Sequence, residues 1–256
     1  MELIKFISHP KTRGIHIDDP ALTLLRREII REKAFLKKLY EEWYTKIMNL
    51  LDDKKNVLEL GSGGGFMADF IPELITSEVI ATKDVEMVVN ACQMPFDENQ
   101  LSAIVMTDVF HHIPDVESFF KEATRVIRNK GKIIMIEPWR SPWSELIYSN
   151  LHSEPFEIRE GWRLATNIGP LSSANGALPW IVFERDRDKL TSNYPEIKIL
   201  SIDLMMPFSY LLSGGVSMKS FVPGFLYKFI RLIENQLNQK RWAMFALIEI
   251  EINKPL

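Results

Sequence analysis

A single cysteine, Cys92, stands in the whole chain. That excludes an intrachain disulfide and leads us to expect a reducing compartment. An excess of one charge is also missing: 31 Lys and Arg against 34 Asp and Glu leave a net of −3, which predicts no general attraction to nucleic acid. No apolar run approaches the roughly 18 to 20 residues of a membrane span. The opening Met1-Glu2-Leu3-Ile4-Lys5-Phe6 lacks the sustained apolar region of a signal peptide. The expectation is a soluble, cytoplasmic protein. Internal repeats, low-complexity tracts and Cys/His clusters with metal spacing are absent from the sequence, so no metal is expected. What is present is an ordinary globular composition, 46% hydrophobic and 25% charged, long enough for one α/β domain with elaborations.

The twelve glycines are unevenly spent. Gly61, Gly63, Gly64 and Gly65 cluster directly after the apolar run Val57-Leu58-Glu59-Leu60, which has the character of a short strand buried on both faces of a parallel sheet. Strand, glycine turn and helix make the geometry in which backbone approaches a bound nucleotide, because a Cβ would block the close approach. The spacing is G-x-G-x-G, not the G-x-G-x-x-G of dinucleotide folds. Glu59, two residues before the first glycine, would repel a pyrophosphate. It suits a ligand that carries an ammonium and a sulfonium.

Glu59-x-Gly61-x-Gly63-x-Gly65 resembles motif I of the class I S-adenosylmethionine-dependent methyltransferases. Further stretches carry the likeness in the same order: Asn90-Ala91-Cys92-Gln93-Met94-Pro95-Phe96, then His111-His112-Ile113-Pro114, then Arg125-Val126-Ile127-Arg128-Asn129-Lys130-Gly131. Over about residues 55–138 the sequence is similar to the subgroup called methyltransferase type 11. The resemblance implies an α/β, Rossmann-like three-layer sandwich with a seven-stranded, mostly parallel sheet whose last strand is antiparallel. It implies S-adenosyl-L-methionine as cofactor, with Gly61, Ser62 and Gly63 against its methionine part and Glu59 at its ammonium. Asn90 and Ala91 stand where the family contacts adenine, Asn90 in a place where an Asp is common. Thr107 and Asp108 should face the methionine end.

Two acids could end the second strand and hold the ribose hydroxyls, Glu78 and Asp84. Neighbouring parallel strands need a crossover of roughly a dozen residues. A second strand over Leu74-Ile75-Thr76-Ser77-Glu78 leaves residues 79–86 for that crossing, whereas one ending at Asp84 leaves almost nothing. Glu78 is therefore favoured, Asp84 is the alternative, and the usual helix between these strands should be missing.

The remaining elements follow from periodicity. Asp19 and Pro20 open a helix that should run to about residue 51, a possible cover for the cofactor. A helix is expected from about residue 64 to 71, stopped by Pro72. Buried strands are expected over 101–106, 132–138, 196–205 and 244–252. Asp115 opens a helix, and Asn129-Lys130-Gly131 forms the turn out of it. We expect one domain over 1–256, in which residues 139–190 and 207–240 form substrate-region insertions. The first is rich in Trp and Pro and includes the turn-rich Gly169–Trp180 stretch. In the second, Phe221 through Leu237 makes an apolar helix with Lys228 and Arg231. Core packing is the commoner explanation for it, contact with lipid or a substrate tunnel the alternative.

For chemistry, His111 and His112 lie just beyond the fourth strand and are the candidate bases. Glu137 and Arg140, beyond the fifth, are candidates for orienting substrate. The expected activity is methylation of a small, partly apolar molecule on oxygen or carbon. The alternative is an S-adenosylmethionine-binding protein without turnover.

Overall fold

Val57–Leu60 forms β1, and its burial on both faces explains why all four residues are shielded. β1 pairs in parallel with Leu74–Glu78 (β2) on one side and Leu101–Thr107 (β4) on the other. In this computed structural model, which describes residues 9–254 except 13, 16, 17, 153, 165–168, 170 and 171, the sheet has seven strands. Met87–Val88 (β3), Ile127–Pro138 (β5), Ile197–Met205 (β6) and Phe245–Ile252 (β7) complete it in the order β3-β2-β1-β4-β5-β7-β6. β7 runs antiparallel to both β5 and β6, and every other pairing is parallel. The order reverses at β1 and β4, so the ligand crevice belongs at their carboxyl ends.

β2 ends at Glu78, and no helix occupies residues 79–86. The expected helix over 64–71 is not formed. Only a 3₁₀ turn, Met67–Asp69, follows the glycines. The reason is tertiary: a Cβ on Gly65 would stand 2.5 Å from the Tyr44 hydroxyl, and that hydroxyl accepts a hydrogen bond from the Phe66 N–H. The space a helix would use is filled by the N-terminal segment.

That segment is two helices, Pro20–Glu32 (α1) and Ala34–Leu50 (α2), not one. Asp19 caps α1 through the Ala21 N–H, with Pro20 at the first position. The break is at Lys33, whose backbone is extended and whose buried ammonium donates to the Gly215 and Met218 carbonyls at 2.5 and 2.9 Å. Burial pushes the Lys33 amine down to about 8. On α2, Trp43 is fully buried against Phe245 and Tyr210, with ring centroids 5.0 and 5.9 Å away.

Asp115 caps Val116–Val126 (α3) through the Glu117 and Ser118 N–H groups. Residues 129–131 are not a turn between helix and strand. β5 already begins at Ile127, and the Asn129-Lys130-Gly131 stretch is a kink inside it, with Lys130 at φ +65° and a register shift opposite Leu101 and Ala103. Past β5, Ser141 caps Pro142–Leu151 (α4) in a reciprocal box with Ser144. Arg187–Asn193 (α5) precedes β6. Residues 170 and 171 of the turn-rich stretch lie outside the described residues.

Between β6 and β7 come Ser209–Ser213 (α6) and Tyr227–Glu234 (α7). Core packing is not what makes α7 apolar. Only Tyr227, Arg231 and Glu234 are buried on it, while Phe229, Leu232 and Ile233 face outward. The inward face is an ionic seam. Arg231 binds both Glu42 oxygens at 2.8 and 3.0 Å and Glu234 at 2.5 Å, and Tyr227 donates to Glu42 at 2.6 Å. Glu234 in turn accepts from the N–H groups of Phe208 and Ser209.

Removing Arg231 would leave Glu234 buried without its cation. Arg231→Met is expected to cost about 3–5 kcal/mol, read as a lower midpoint in a urea titration. An unchanged midpoint would mean that the seam does not hold α7.

Candidate active site

At the carboxyl end of β1 the chain turns sharply, with Gly61 at φ +66° and Gly63 at φ +43°. A Cβ on Gly63 would sit 3.2 Å from Glu78 Oε1, so the loop backbone and the end of β2 share one narrow edge. Ser62 ties them: its N–H donates to Ser77 O at 2.8 Å, and its hydroxyl accepts from Ser77 N–H at 3.1 Å. The loop edges a cavity of about 530 Å³, within the usual span of small-molecule sites of roughly 300–1,000 Å³.

Most of the residues expected to hold a cofactor line this cavity: Glu59, Gly61, Ser62, Gly63, Glu78, Asn90, Ala91, Thr107 and Asp108. Asp84 does not line it. It pairs with Arg27 at 3.0 Å, and Arg27 also reaches Gly63 O at 3.4 Å. At the far end, Asn90 turns its own amide oxygen onto the Cys92 N–H at 2.9 Å. α1 and α2 contribute Arg26, Ile30, Tyr40 and Tyr44 to the wall.

Around the glycines buried carboxylates dominate, with Arg26 and Arg27 at the margin. Burial pushes the Glu59 carboxyl up to about 7, against a hydrogen bond from Ser62, and the neighbouring Glu78 carboxyl adds to the rise. Burial also raises Glu78 and lifts Asp108 to about 7. Carboxylates buried beside one another resist ionising until a cation joins them. The Thr107 hydroxyl oxygen is buried and has no hydrogen-bond partner among the described residues. Such an oxygen is costly unless a ligand or water satisfies it.

Beyond β4, Asp108 adopts φ +62° and the chain folds over Glu137. The Glu137 side chain, at the end of β5, has no exposed surface. Its Oε1 accepts from the Val109 and Phe110 N–H groups at 2.8 and 2.7 Å, and its Oε2 meets His111 Nδ1 at 2.8 Å. The other His111 nitrogen faces Glu154 Oε2 at 3.3 Å. Burial alone would lower the His111 pKa, but Glu137 and Glu154 overcome it and hold His111 well above its ordinary value. It is an imidazolium clamped between two carboxylates. Burial would raise Glu154, yet His111 holds it well below the usual carboxylate range.

His112 differs. Burial, then the positive His111 beside it, push its pKa down to about 4, so it is neutral at physiological pH. Its Nδ1 lies 3.0 Å from Ser173 O. A carbonyl only accepts, so Nδ1 carries the proton and Nε2 keeps the lone pair. His112 lines the cavity and His111 does not.

Two expectations about substrate orientation are corrected. Glu137 is sealed beneath the turn by four donors, the N–H groups of Val109, Phe110 and His111 and the His111 ring, and does not line the cavity. Arg140 is held by Glu145 at 2.9 Å and lies over Trp180, 4.5 Å from its centroid, also off the cavity. Further polar groups that do line the cavity are His152 and Glu154, from the chain after α4, with Ser173 and Tyr210. Position after β5 marked this insertion as the substrate region, but no local pattern distinguished His152 and Glu154. His111, His112 and Glu154 also bring ligand-type atoms within 4.8 Å of one another. Both His111 nitrogens already face carboxylates, which accounts for the grouping as an ion pair.

Residues 58–135 match the family model described as a methyltransferase domain. That stretch is a methyltransferase domain, and it coincides with the part of the sequence that resembles the class I S-adenosylmethionine-dependent methyltransferases. Its fold agrees with theirs. A structure of geranyl diphosphate C-methyltransferase from Streptomyces coelicolor A3(2), with Mg²⁺, geranyl diphosphate and S-adenosyl-L-homocysteine, aligns at TM-score 0.52 and 14% identity, over 93% of this chain and 86% of that one. A geranyl diphosphate methyltransferase with sinefungin aligns at 0.52 and 12% identity, over 84% and 80%. No curated protein matches in sequence. The cavity of this methyltransferase suits S-adenosyl-L-methionine, because its glycine edge and crowded carboxylates favour a cation, and the orphaned Thr107 oxygen awaits a donor.

Glu137→Gln would keep the shape but give up the anion that four donors share. A loss of about 2–4 kcal/mol in unfolding free energy is expected, measured by chemical denaturation. A variant as stable as the parent would mean the turn over the site holds itself.

Proposed function

We propose that this methyltransferase modifies a small, partly apolar acceptor on oxygen or carbon, with His112 as the base. The observation that carries the proposal is the division of one cavity into two ends. Crowded carboxylates and glycine backbone lie at the β1 end, and a neutral imidazole with a directed lone pair lies at the other. In this reading Glu59 and Asp108 meet the positive amino acid part of the cofactor, Glu78 accepts the ribose hydroxyls, and Asn90 and Ala91 border the adenine. When bound, S-adenosylmethionine supplies a methyl group already activated on a sulfonium, so the protein's main tasks are alignment and exclusion of water. His112 Nε2 would take the acceptor's proton, and its low pKa keeps it unprotonated at neutral pH. The Ser173 carbonyl holds His112 in place, and Glu154 with the His111 imidazolium would set the polarity around the acceptor. Ile30, Tyr40, Ile113, Tyr210 and Val216 supply apolar wall, which supports an acceptor with an apolar part.

The direct test is calorimetry with S-adenosylmethionine and S-adenosylhomocysteine, followed by release of the latter over an acceptor panel. Binding without release on any acceptor would favour a cofactor-binding protein without turnover. Gly63→Arg is expected to abolish binding by filling the edge beside Glu78, at about 1–3 kcal/mol of backbone strain. Glu78→Ala should weaken binding by more than Asp84→Ala does. The reverse order would move the ribose contact to Asp84.

Binding should also depend on pH. With Glu59 and Asp108 near 7, a cationic ligand selects their ionised forms and expels protons. Affinity should therefore rise as pH climbs through about 7 and level off about one unit above it. Calorimetry in two buffers of different ionisation heat reads the released protons. A flat profile across that range would detach these carboxylates from the cofactor.

A further inference from the structure

Half of the large apolar side chains that stand exposed on the described residues come from one stretch, Phe221 to Trp242. Phe225 is 78% exposed, Leu232 62%, Phe229 60% and Ile233 46%. They are not scattered. On α7, Tyr227, Arg231 and Glu234 point inward at i, i+4 and i+7, which turns Phe229, Leu232 and Ile233 to the opposite side. Phe221 and Phe225, in the lead-in to the same helix, are exposed as well. Contiguous apolar surface of this kind marks a contact with something else.

Charge indicates what that is. From Ser217 to Trp242 the only acid is Glu234, and it is fully buried. Lys228, Lys240 and Arg241 are exposed beside the apolar row. A chain whose net charge is −3 thus carries a stretch with exposed cations and no exposed acid of its own. Aromatic and aliphatic side chains flanked by Lys and Arg are the composition of helices that lie in the interface of an anionic bilayer. No helix among the described residues is long and apolar enough to cross a membrane, so the contact would be superficial. Trp242, 37% exposed with its ring centroid 5.6 Å from that of Trp143, has the amphipathic character favoured at that depth.

The face is also wired to the cavity. Val216 and Ser217, just before the apolar row, line the cavity wall. Lys33 grips the Gly215 and Met218 carbonyls, and Lys38 donates to Gly224 O at 3.0 Å. The Glu42–Arg231 seam fixes α7 to α2, whose Tyr40 and Tyr44 line the cavity too.

We propose that the outward face of residues 221–242 docks this protein on an anionic lipid surface, and that its methyl acceptor is an amphipathic molecule resident in that bilayer. The second half rests on the methyl-transfer reading above. The first half does not.

The test is co-sedimentation of the full chain with phosphatidylcholine vesicles, with and without phosphatidylglycerol, at low and raised salt. The expected result is pelleting with phosphatidylglycerol vesicles that weakens as salt screens the cations. The triple variant Phe225→Ser, Phe229→Ser, Leu232→Ser should bind at least about a hundred-fold more weakly, from the lost apolar burial. Phe225→Ser alone touches the most exposed ring and keeps the test valid if the triple variant folds poorly. Lys228→Glu with Lys240→Glu should weaken binding about ten-fold or more. Parent protein that stays in the supernatant with every vesicle overturns the docking. So does a Phe225→Ser variant that pellets as the parent does. A parent that is dimeric in sedimentation velocity, made monomeric by Phe225→Ser, and that ignores vesicles would show a second copy on this face instead, and would also overturn it. Pelleting needs neither cofactor nor acceptor, so its failure leaves methyl transfer standing. Loss of cofactor binding, conversely, leaves docking standing.

Discussion

The active end of this molecule depends on one buried carboxylate. Glu137 sits at the end of a central strand with no access to water, a position that would be prohibitive for an isolated anion. Three backbone N–H groups and an imidazolium surround it, and by doing so they fix how the chain leaves β4. Once Val109 and Phe110 are pinned, Asp108 is forced into a left-handed conformation and His111 is drawn down beside the sheet. His112, next in the chain, is left facing the cavity. A single charge beneath the turn thus sorts two adjacent histidines into opposite protonation states. Neither state follows from the intrinsic chemistry of imidazole, which is the same in both.

The two ends of the cavity then use burial in contrary ways. Near the glycines, Glu59 and Glu78 lie beside one another without full compensation and each is raised because ionising it costs solvation, while Asp108, at the end of β4, is raised by burial even against the His111 charge. That is a site waiting for positive charge. Near β5, Glu154 is lowered because a positive partner is already built in. The protein supplies a cation in direct contact with Glu154 where the acceptor is expected, whereas at the glycine end Arg26 and Arg27 stand nearby without offsetting the cost of burying Glu59. An anionic nucleotide would gain nothing from this arrangement, which is why the electrostatics separate a sulfonium-bearing ligand from a pyrophosphate more sharply than the glycine spacing does.

Much of this was legible in the chain, and the parts that were not share a cause. Apolar runs located β1, β4, β5, β6 and β7, and crossover length alone placed the end of β2 at Glu78. Local pattern failed where a distant segment decides the outcome. Gly64 and Gly65 read as the start of a helix, but Tyr44 from α2 already occupies that space. The helical period through Lys33 continues in sequence, yet carbonyls at 215 and 218 pull its ammonium out of line and break the helix. Glu137 at a strand end reads as available for substrate until the turn at 109–111 closes over it. His152 and Glu154 carry no signal at all without the fold that sets them beside His111. Strands report their burial in their own residues, whereas a site is made of relations between segments.

The same distinction explains α7. A helix of eight residues has little stability of its own, so its orientation must be imposed. Arg231, Glu42, Glu234 and Tyr227 impose it through charged and hydrogen-bonded contacts that an apolar seam could replace with no loss, and often with a gain, of stability. What an apolar seam would not provide is direction. With Phe225, Phe229, Leu232 and Ile233 on the same short segment, a helix held by hydrophobic contact could roll and bury those residues instead. A bidentate guanidinium locked between two carboxylates permits one rotation only. The ionic face therefore keeps the apolar face outward, and that is the physical reason a charged interior and an oily exterior occur on the same two turns of helix.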